Sequence, residues 1–383
     1  MIAAIALPGI LRIGGGAFAE TRAVLESLGL SRPLIVTDPM MVKFGLAERL
    51  QGLLGGAAVF SDTVPEPDTD AVDRARAAVL AGDYDCLVAL GGGSPIDTAK
   101  AVAVLAKQGG RMRDYKAPAQ NSGPALPVIG IPTTAGTGSE ATRFTVITDS
   151  ETHEKMLCIG QSFLPVAAIV DYELTLSKPP RLTADTGVDA LTHAIEAYVS
   201  RRANPFSDGF ALNAMRAIAG HLRRAYRDGQ DRAAREAMML GATQAGIAFS
   251  NASVALVHGM SRPIGAHFHV PHGLSNAMLL PAVTAYSAPA AERRYADCAR
   301  AMGLAGSDRD DAFAVAALLD ELRALNRDLA VPGPRAYGIE EAAWFRLLPL
   351  MAQQAIASGS PANNPMVPDE AAIQALYQQV WAE

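Results

Sequence analysis

An acid and histidine pair followed by a histidine cluster is the feature of this sequence that most directly suggests chemistry. Asp189 and His193 are four residues apart in TGVDALTHAIEAY, a spacing that puts both side chains on one face of a helix. Four of the seven histidines then fall in one short stretch, as His258, His267, His269 and His272.

One carboxylate with several imidazoles can bind a divalent transition metal and leave a position open for a substrate oxygen. An ordinary pair on a helix surface is the alternative for Asp189 and His193, and we prefer the metal site. A glycine follows both His258 and His272, which leaves room for close approach of a neighbouring element.

A glycine-rich loop supplies a second candidate site, for phosphate. Gly91, Gly92, Gly93 and Ser94 follow the apolar run CLVAL and precede a helical pattern that opens at Pro95. Glycines let backbone N–H groups approach a phosphate closely, and the start of a helix favours its negative charge. The segment GGGSPIDTAK is neither a GxGxxG nor a Walker A sequence. A tight turn that packs strand against helix is the alternative.

Two other segments carry groups that suit a nucleotide. The loop PTTAGTGSE, at 132–140, has four hydroxyl side chains that can donate to pyrophosphate or ribose oxygens. Asp38 ends the run PLIVTD, and an acid at a strand end can accept ribose hydroxyls and repel a 2′-phosphate. Taken alone, a role at a turn or helix start is favoured for Asp38.

The elements that position these residues change in character near Ser177-Lys178-Pro179-Pro180. Before this point, apolar runs without polar alternation indicate a mainly parallel sheet covered on both faces, with strands expected at 33–38, 57–60, 86–90, 127–132 and 167–171. After it, the main helices are expected at 181–199, 207–225, 232–249, 290–302, 310–325 and 340–357. We predict an α/β domain over 1–182 and an all-α domain over 183–383.

The composition excludes several classes of protein. A chain of 383 residues that is 50% hydrophobic and 19% charged can bury a large core and is not disordered. A net charge of −6 argues against nucleic-acid binding. The three cysteines form no CxxC motif, which favours a reducing compartment. Residues 237–261 carry no charge, but their polar side chains favour a buried helix over a membrane span. A secretory signal is not expected at the N-terminus.

Together, five segments resemble the iron-containing (group III) alcohol dehydrogenase family. They occur in the family's order across nearly the whole chain, as VALGGGSPIDTAKA, IPTTAGTGSEAT, TGVDALTHAIEAYVS, LVHGMSRPIGAHFHVPHGLSNAMLLP and SPANNP. The resemblance implies a Rossmann-like dinucleotide-binding domain and a helical metal-binding domain in a dehydroquinate synthase-like fold, with the cofactor and one metal in the cleft between them. We expect a cytoplasmic homo-oligomer, a dimer or larger, whose partner is a small-molecule alcohol or aldehyde and neither a nucleic acid nor a membrane.

The resemblance also implies roles for individual residues. The family's metal ligands match Asp189, His193, His258 and His272. Its cofactor contacts match Asp38, Gly91, Gly92, Gly93, Ser94, Asp97, Thr133, Thr134, Thr137, Phe144, Lys155 and Thr175. Phe144 and Phe249 match positions that line the nicotinamide and substrate pocket. Because Asp38 matches the acid associated with NAD rather than NADP, the expected cofactors are NAD and Fe(II), with Zn(II) as the alternative metal.

One departure from the family concerns the proton relay. Many relatives have a second histidine four residues after the position of His258, and here that residue is Arg262, which cannot act as an ordinary base. His267 or His269 are candidates to substitute, and proton exchange with water through the ribose hydroxyl is a further route. Arg262 itself suggests a fork for a substrate carboxylate or phosphonate, with a salt bridge at the rim of the cleft as the alternative.

We therefore predict a metal-dependent NAD(H) alcohol dehydrogenase or aldehyde reductase that transfers hydride between nicotinamide and a small primary alcohol or aldehyde. Narrower alternatives are a hydroxy-acid dehydrogenase, for example for 4-hydroxybutyrate, and a lactaldehyde reductase. Less favoured alternatives are a dehydroquinate synthase-like lyase, a maleylacetate reductase, a metal hydrolase without nucleotide and a non-catalytic binding protein.

Overall fold

The chain forms two compact units with different secondary structure. The structure is a computed structural model, and it describes residues 2–382. One unit comprises Ala4–Ser177, and the other begins at Lys178. The first unit is α/β and the second is helical, which confirms the predicted fold class.

The first unit is built on a six-stranded parallel sheet in the order β1-β8-β5-β4-β2-β3. The strands of this sheet are β1 Ile10–Ile13, β2 Pro33–Val36, β3 Ala58–Phe60, β4 Cys86–Gly91, β5 Val128–Pro132 and β8 Ala167–Val170. An antiparallel hairpin of β6 Phe144–Thr148 and β7 Lys155–Ile159 forms a separate sheet. The five strands predicted from apolar runs are present, whereas β1, β6 and β7 were not predicted.

Helices cover both faces of the six-stranded sheet. They are α1 Thr21–Ser27, α2 Pro39–Lys43, α3 Leu46–Leu53, α4 Thr69–Leu80 and α5 Gly93–Gln108. Leu34 and Val36 belong to one buried cluster with residues of α4 and α5. Ile35, between them, belongs to another cluster with residues of α1 and α3. Burial on both faces explains why these strands show no polar alternation.

The carboxyl ends of three neighbouring strands bring the predicted nucleotide segments to one edge of the sheet. β4 pairs with β2 on one side and with β5 on the other, and all three are parallel. Asp38 follows β2, the glycine loop follows β4 and Thr133 follows β5. This edge, where adjacent parallel strands end, is where α/β sheets bind ligands.

The second unit contains ten helices among its described residues, 178–382. They are α6 Pro180–Val199, α7 Pro205–Arg227, α8 Arg232–Ala252, α9 Leu256–Phe268, α10 His272–Ser287, α11 Glu292–Ala301, α12 Asp311–Asp328, α13 Pro334–Tyr337, α14 Glu341–Ala357 and α15 Glu370–Ala382. All six predicted helices are present, and Asp231 and Asp310 cap the starts of α8 and α12. Helices α9, α10 and α15 were not predicted from the sequence.

Helix α6 lies at the centre of the helical unit. Nearly every residue from Thr183 to Val199 is buried, so the helix is covered on all sides. Polar side chains on α6 are therefore removed from water and need partners within the protein.

No single helix within residues 2–382 is long and apolar enough to cross a membrane. Helices α8 and α9 meet that test of length and composition only as a pair, and the pair is bent by 105°.

Candidate functional site

Three acidic or imidazole side chains share one face of the buried helix α6. Asp189, His193 and Glu196 are spaced by four and three residues, so they follow one another along that face. All three residues are at least 95% buried. A buried helix that carries three ionisable groups on one face is unusual, because charged groups in a core require compensation.

Asp189 meets two histidines from other helices. His258 lies in α9 and His272 is the first residue of α10. The Oδ1 atom of Asp189 is 3.5 Å from His258 Nε2 and 3.7 Å from His272 Nε2. One ligand atom from each of the three residues lies within 4.8 Å of the other two. The structure therefore brings together three of the four predicted metal ligands.

The glycines after the two histidines allow this convergence. A Cβ atom on Gly273 would be 2.3 Å from the backbone oxygen of Asp185 in α6. A Cβ atom on Gly259 would be 2.7 Å from the Pro361 ring. Only glycine allows these approaches.

Asn276 lies against the three converging atoms. Its Nδ2 is 2.7 Å from Asp189 Oδ1, 3.2 Å from His258 Nε2 and 3.3 Å from His272 Nε2. The Oδ1 of the same amide is buried and has no hydrogen-bond partner among residues 2–382. An oxygen and two imidazole nitrogens thus present lone pairs to one small region. This donor set fits a divalent iron or zinc ion.

His193, the fourth predicted ligand, lies beside this group. Its ring stacks on His258 at 4.4 Å and on Phe249 at 4.3 Å, measured between ring centroids. Its Nδ1 is 3.9 Å from Asp189 Oδ2, the carboxylate oxygen on the other side. His193 is not among the three converging atoms, and its role as a ligand stays a prediction.

Glu196 is a site residue that the sequence analysis missed. Its Oε2 is 2.6 Å from Nδ1 of His258, and the carboxylate also accepts hydrogen bonds from the backbone N–H groups of Ala255 and Val257. The carboxylate thereby holds a proton on Nδ1 of His258 and leaves Nε2 with its lone pair toward Asp189. The i, i+4, i+7 spacing within the quoted segment TGVDALTHAIEAY was the available signal.

The charges of these neighbouring side chains shift the pKa values of His258 and Asp189. Burial opposes charge on His258, but the carboxylates of Glu196 and Asp189 outweigh burial and raise the pKa of its imidazole. Burial likewise opposes charge on Asp189, but His193, His258 and His272 outweigh it and hold the pKa of Asp189 well below its usual range. Asp189 is therefore an anionic ligand at neutral pH.

The structure separates the three residues predicted to act in catalysis. Arg262 is one turn after His258 in α9 and donates from Nη1 to Ser360 Oγ at 3.0 Å. Within residues 2–382 Arg262 forms no ion pair, so the structure does not show the salt bridge that was considered as the alternative role for this residue. His267 is nine residues after His258, about 13 Å along the helix, and its Nε2 is 2.8 Å from Gln354 Oε1. His269 is exposed beyond the end of α9. This placement does not support a proton relay through His267 or His269.

The glycine loop forms the start of α5 in the α/β unit. Gly91 has a φ of 150°, and a Cβ atom there would be 2.5 Å from the Pro95 ring and 3.2 Å from Asp38 Oδ2. Gly92 is the N-cap of α5, whose first N–H groups have no carbonyl partner within the helix. A Cβ atom on Gly93 would be 2.9 Å from the Thr137 side chain. The two predicted loops are therefore in contact.

The threonine loop presents hydroxyl groups beside the glycine loop. The backbone N–H of Thr133 donates to the carbonyl of Gly91 at 2.8 Å. The Thr133 hydroxyl is buried and has no hydrogen-bond partner in the described part of the chain, residues 2–382. Thr134 lies against Gly92, where an added Cβ would be 3.5 Å from its Oγ1. This arrangement gives both hydroxyl and backbone donors at one strand edge, as a pyrophosphate requires.

Asp97 and Lys100, both on α5, form hydrogen bonds that hold the threonine loop in place. Asp97 accepts a hydrogen bond from Ser139 Oγ at 2.5 Å and one from the Val146 backbone at 2.9 Å. Lys100 is fully buried and donates to Ser139, Thr142 and Phe144 at 2.8–3.1 Å. Burial lowers the pKa of Lys100 to about 8, although Asp97 opposes the shift. Asp97 therefore organises the loops. Lys100 and Ser139, which bond to each other here, were not predicted as site residues.

The other residues predicted to contact the cofactor are Asp38, Lys155, Thr175 and Phe144. Asp38 caps α2 by accepting hydrogen bonds from the backbone N–H groups of Met40 and Met41. The role at a helix start that was considered for Asp38 is therefore present, and its carboxylate also lies close to Gly91. Lys155 pairs with Glu66 at 2.8 Å. Thr175 is buried and donates to the Tyr172 carbonyl. Half-buried Phe144 opens β6.

Two family models match this chain, and each matches one of its units. The model for iron-containing alcohol dehydrogenase matches residues 8–172. The model for the C-terminal part of the Fe-containing alcohol dehydrogenase family matches residues 183–381.

Individual relatives align over almost the full length. Long-chain-alcohol dehydrogenase 1 of Geobacillus thermodenitrificans (strain NG80-2) is 39% identical over 391 residues, which cover 100% of this chain and 97% of the relative. A crystal structure of 1,3-propanediol oxidoreductase superimposes with a TM-score of 0.95 at 33% identity, covering 99% of this chain and 100% of that one. The sulfoacetaldehyde reductase of Bifidobacterium kashiwanohense, in complex with NAD+, gives a TM-score of 0.89 at 29% identity, covering 100% and 99%.

Proposed function

This chain belongs to the iron-containing alcohol dehydrogenase family, and from that premise we propose how its residues serve hydride transfer. The protein is an NAD-dependent alcohol dehydrogenase or aldehyde reductase that uses iron and acts on a small-molecule alcohol or aldehyde. The observation that carries the site assignment is the convergence of Asp189, His258 and His272 within a buried helical core.

We propose that Asp189, His193, His258 and His272 hold the metal. Asp189 brings the negative charge, and Glu196 fixes the ring of His258 with Nε2 toward the ion. When bound, a divalent iron ion supplies Lewis acidity at a substrate oxygen, and NAD supplies the hydride acceptor. Phe249, stacked on His193, gives this site one apolar wall that excludes water.

We propose that NAD binds at the carboxyl edge of β2, β4 and β5. The N–H groups of Gly92, Gly93 and Ser94, with the hydroxyls of Thr133, Thr134 and Thr137, bind the pyrophosphate side. Asp38, adjacent to Gly91, accepts from ribose and disfavours a 2′-phosphate. Lys155, Thr175 and Phe144 complete the cofactor contacts by resemblance to the family, and Asp97 acts by holding the loops.

We propose a small primary alcohol or the corresponding aldehyde as the substrate. The relatives are named for long-chain alcohols, 1,3-propanediol and sulfoacetaldehyde, so both neutral and anionic aldehydes fall within the range of the family. Arg262 keeps its proton, and we therefore propose that the reaction's proton leaves through water and not through a side-chain base at that position.

We also propose that the protein is a cytoplasmic homo-oligomer. Family resemblance supports the oligomer, and the three cysteines, free and buried, suit a reducing compartment. Light scattering on the purified protein measures the subunit number, and a monomer would contradict the proposal.

The test begins with anaerobic purification and metal analysis. NADH oxidation is then measured against a panel of aldehydes, with and without a chelator. We expect about one iron per chain and turnover that the chelator abolishes and Fe(II) restores. Asp189→Ala is expected to lose metal and turnover together. Metal present without nicotinamide turnover on any aldehyde would contradict the proposed function.

A further inference from the structure

Arg262 is a partly buried cation that has no partner of opposite charge among residues 2–382. The residues on either side of it in α9, from Leu256 to Gly265, are buried, whereas Arg262 keeps partial access to solvent. Its hydrogen bond to Ser360 goes to a neutral hydroxyl. Across residues 2–382 no carboxylate oxygen lies within 4.0 Å of its guanidinium. Burial lowers the pKa of Arg262 to about 10, although the charge of Glu196 opposes the shift.

The acid whose charge acts on Arg262, Glu196, already has other hydrogen-bond partners. Glu196 acts on Arg262 through space, but its oxygens are bonded to His258 and to two backbone N–H groups at the start of α9. A guanidinium has five N–H donors, and the hydrogen bond to Ser360 uses only one of those on Arg262. The other donors make no hydrogen bond to residues 2–382.

A second buried arginine shows what a purely structural role looks like here. Arg235 is also enclosed, but its three nitrogens each donate to a protein oxygen, on Gly229, Thr183 and Lys178. Each nitrogen of the Arg235 guanidinium is therefore already hydrogen-bonded within the protein. Arg262 has one such bond, and its fork remains available to a ligand.

The position of Arg262 relates this fork to the metal centre. It follows His258 by one helical turn, about 6 Å of axial rise, on the same face of α9. A molecule with its aldehyde at the metal ligands and a carboxylate two or three carbons away spans a comparable distance. A planar guanidinium binds a carboxylate through two parallel hydrogen bonds, which a lysine or a histidine cannot do.

We propose that Arg262 binds the carboxylate of the substrate, and that the preferred substrates are short aldehydes with a terminal carboxylate and the corresponding hydroxy acids. The proposal rests on the proposed function, since it places the carbonyl end of the molecule at the metal. It adds a binding site for an anion and a substrate class. A partly buried cation without a carboxylate partner gains from an anionic ligand, because a charge held partly away from water is costly when it is unpaired.

The test compares one aldehyde in anionic and neutral form. The holoenzyme is assayed with 4-oxobutanoate and with its methyl ester, which differ in charge and little in shape. For the unmodified enzyme we expect a higher kcat/KM on 4-oxobutanoate. In Arg262→Met we expect kcat/KM on 4-oxobutanoate to fall by about 100-fold or more and on the ester to change by less than about 3-fold. Arg262→Lys is expected to lie between, because it keeps the charge without the fork.

A binding measurement provides a readout that does not depend on turnover. Calorimetric titration with 4-hydroxybutyrate is expected to give a Kd that Arg262→Met weakens by a similar factor. Arg346→Met, on an exposed position of α14, removes the same charge elsewhere and is expected to keep the preference for the anion. Circular dichroism and thermal unfolding establish that each variant is folded.

The outcomes separate this proposal from the proposed function. Equal losses on the anion and the ester would overturn the carboxylate site while leaving the dehydrogenase activity established. A rise in the Kd for NADH without a change in aldehyde preference would also overturn it, since Arg262 would then serve the cofactor. No turnover of any aldehyde of the panel by the unmodified, metal-loaded enzyme would contradict the proposed function itself, whereas turnover of neutral aldehydes but not of 4-oxobutanoate would overturn only the carboxylate site.

Discussion

At the scale of single residues, Glu196 decides which nitrogen of His258 faces the other ligands. Glu196 lies seven residues after Asp189 on α6, yet its partners lie at the start of α9 and in the residue before it, 59 to 62 residues further along the chain. One carboxylate therefore orients a ligand and also satisfies two N–H groups at the start of the helix that carries that ligand. Both effects act to keep His258 in place before any ion binds.

We predict that Glu196→Gln weakens metal binding by about 10- to 100-fold, the usual effect of losing a carboxylate behind a histidine ligand. The glutamine amide keeps the size of the side chain but removes the charge that holds the proton on Nδ1. The measurement is competition of Co(II) or Zn(II) between protein and a calibrated chelator.

The matched control for this variant is Glu236→Gln, at an exposed position of α8. It is expected to bind metal like the unmodified protein. If Glu196 served only to cap α9, Glu196→Gln would lower the unfolding temperature of the metal-free protein and leave metal affinity unchanged, which would contradict the prediction.

The sequence was sufficient to single out the candidate metal ligands but not the groups that support them. Asp189, His193, His258 and His272 are distinguished by residue type and by family motifs. Glu196, Asn276, Lys100 and Ser139 are ordinary polar residues by composition. Their importance arises from contacts between segments far apart in sequence, such as the bond from Lys100 to Ser139. Local spacing carries no information about such contacts.

At the scale of elements, the approach of α10 to α6 depends on a single glycine. Gly273 follows the ligand His272, and an added Cβ would be 2.3 Å from the Asp185 backbone oxygen. Backbone atoms of a buried helix cannot move aside as a flexible side chain can. The separation between the two helices, and with it the position of His272 relative to Asp189, is therefore set by the absence of a side chain at 273.

We predict that Gly273→Ala destabilises the protein by about 1–3 kcal/mol, the range for overpacking of a core. It is also expected to purify with less bound metal, because α10 must shift away from Asp189. Urea unfolding and metal analysis measure the two effects.

Gly209→Ala is the matched control, since Gly209 is also a helical glycine, in α7, but has no atom within 4 Å of an added Cβ. It is expected to be neutral or to stabilise by about 0.5–1 kcal/mol through helix propensity. Equal effects of the two substitutions would contradict the packing argument.

The strands and helices that could be predicted from the sequence are those in which the pattern of apolar residues is uninterrupted. Strands β2, β4, β5 and β8 are short runs buried on both faces, and helices α6 to α8 have regular spacing and clear starts. Helices α9 and α10 were missed, and each contains an internal proline, Pro263 and Pro281, which usually indicates a break. Hairpin β6–β7 was missed although its residues alternate in burial, as half-buried strands do.

At the scale of the whole molecule, the two sites belong to different units. The phosphate-binding loops lie within Ala4–Ser177, and the metal ligands lie after Lys178. Each unit has its own buried residues, and the family models also match them separately. Ligands that bind only the folded state stabilise the unit that holds them.

We therefore predict that metal and cofactor stabilise different parts of the chain. At a free metal concentration of about 100 times Kd, binding adds about 2.7 kcal/mol, which for a unit of this size raises its unfolding temperature by roughly 5–10 °C. Hydrogen exchange read by mass spectrometry should show that chelation speeds exchange in α6, α9 and α10, while NAD slows exchange around the glycine and threonine loops. In Asp189→Ala the response to chelator should vanish and the response to NAD should remain. Protection of all helices and strands by either ligand alone would instead indicate that the two units unfold as one cooperative structure.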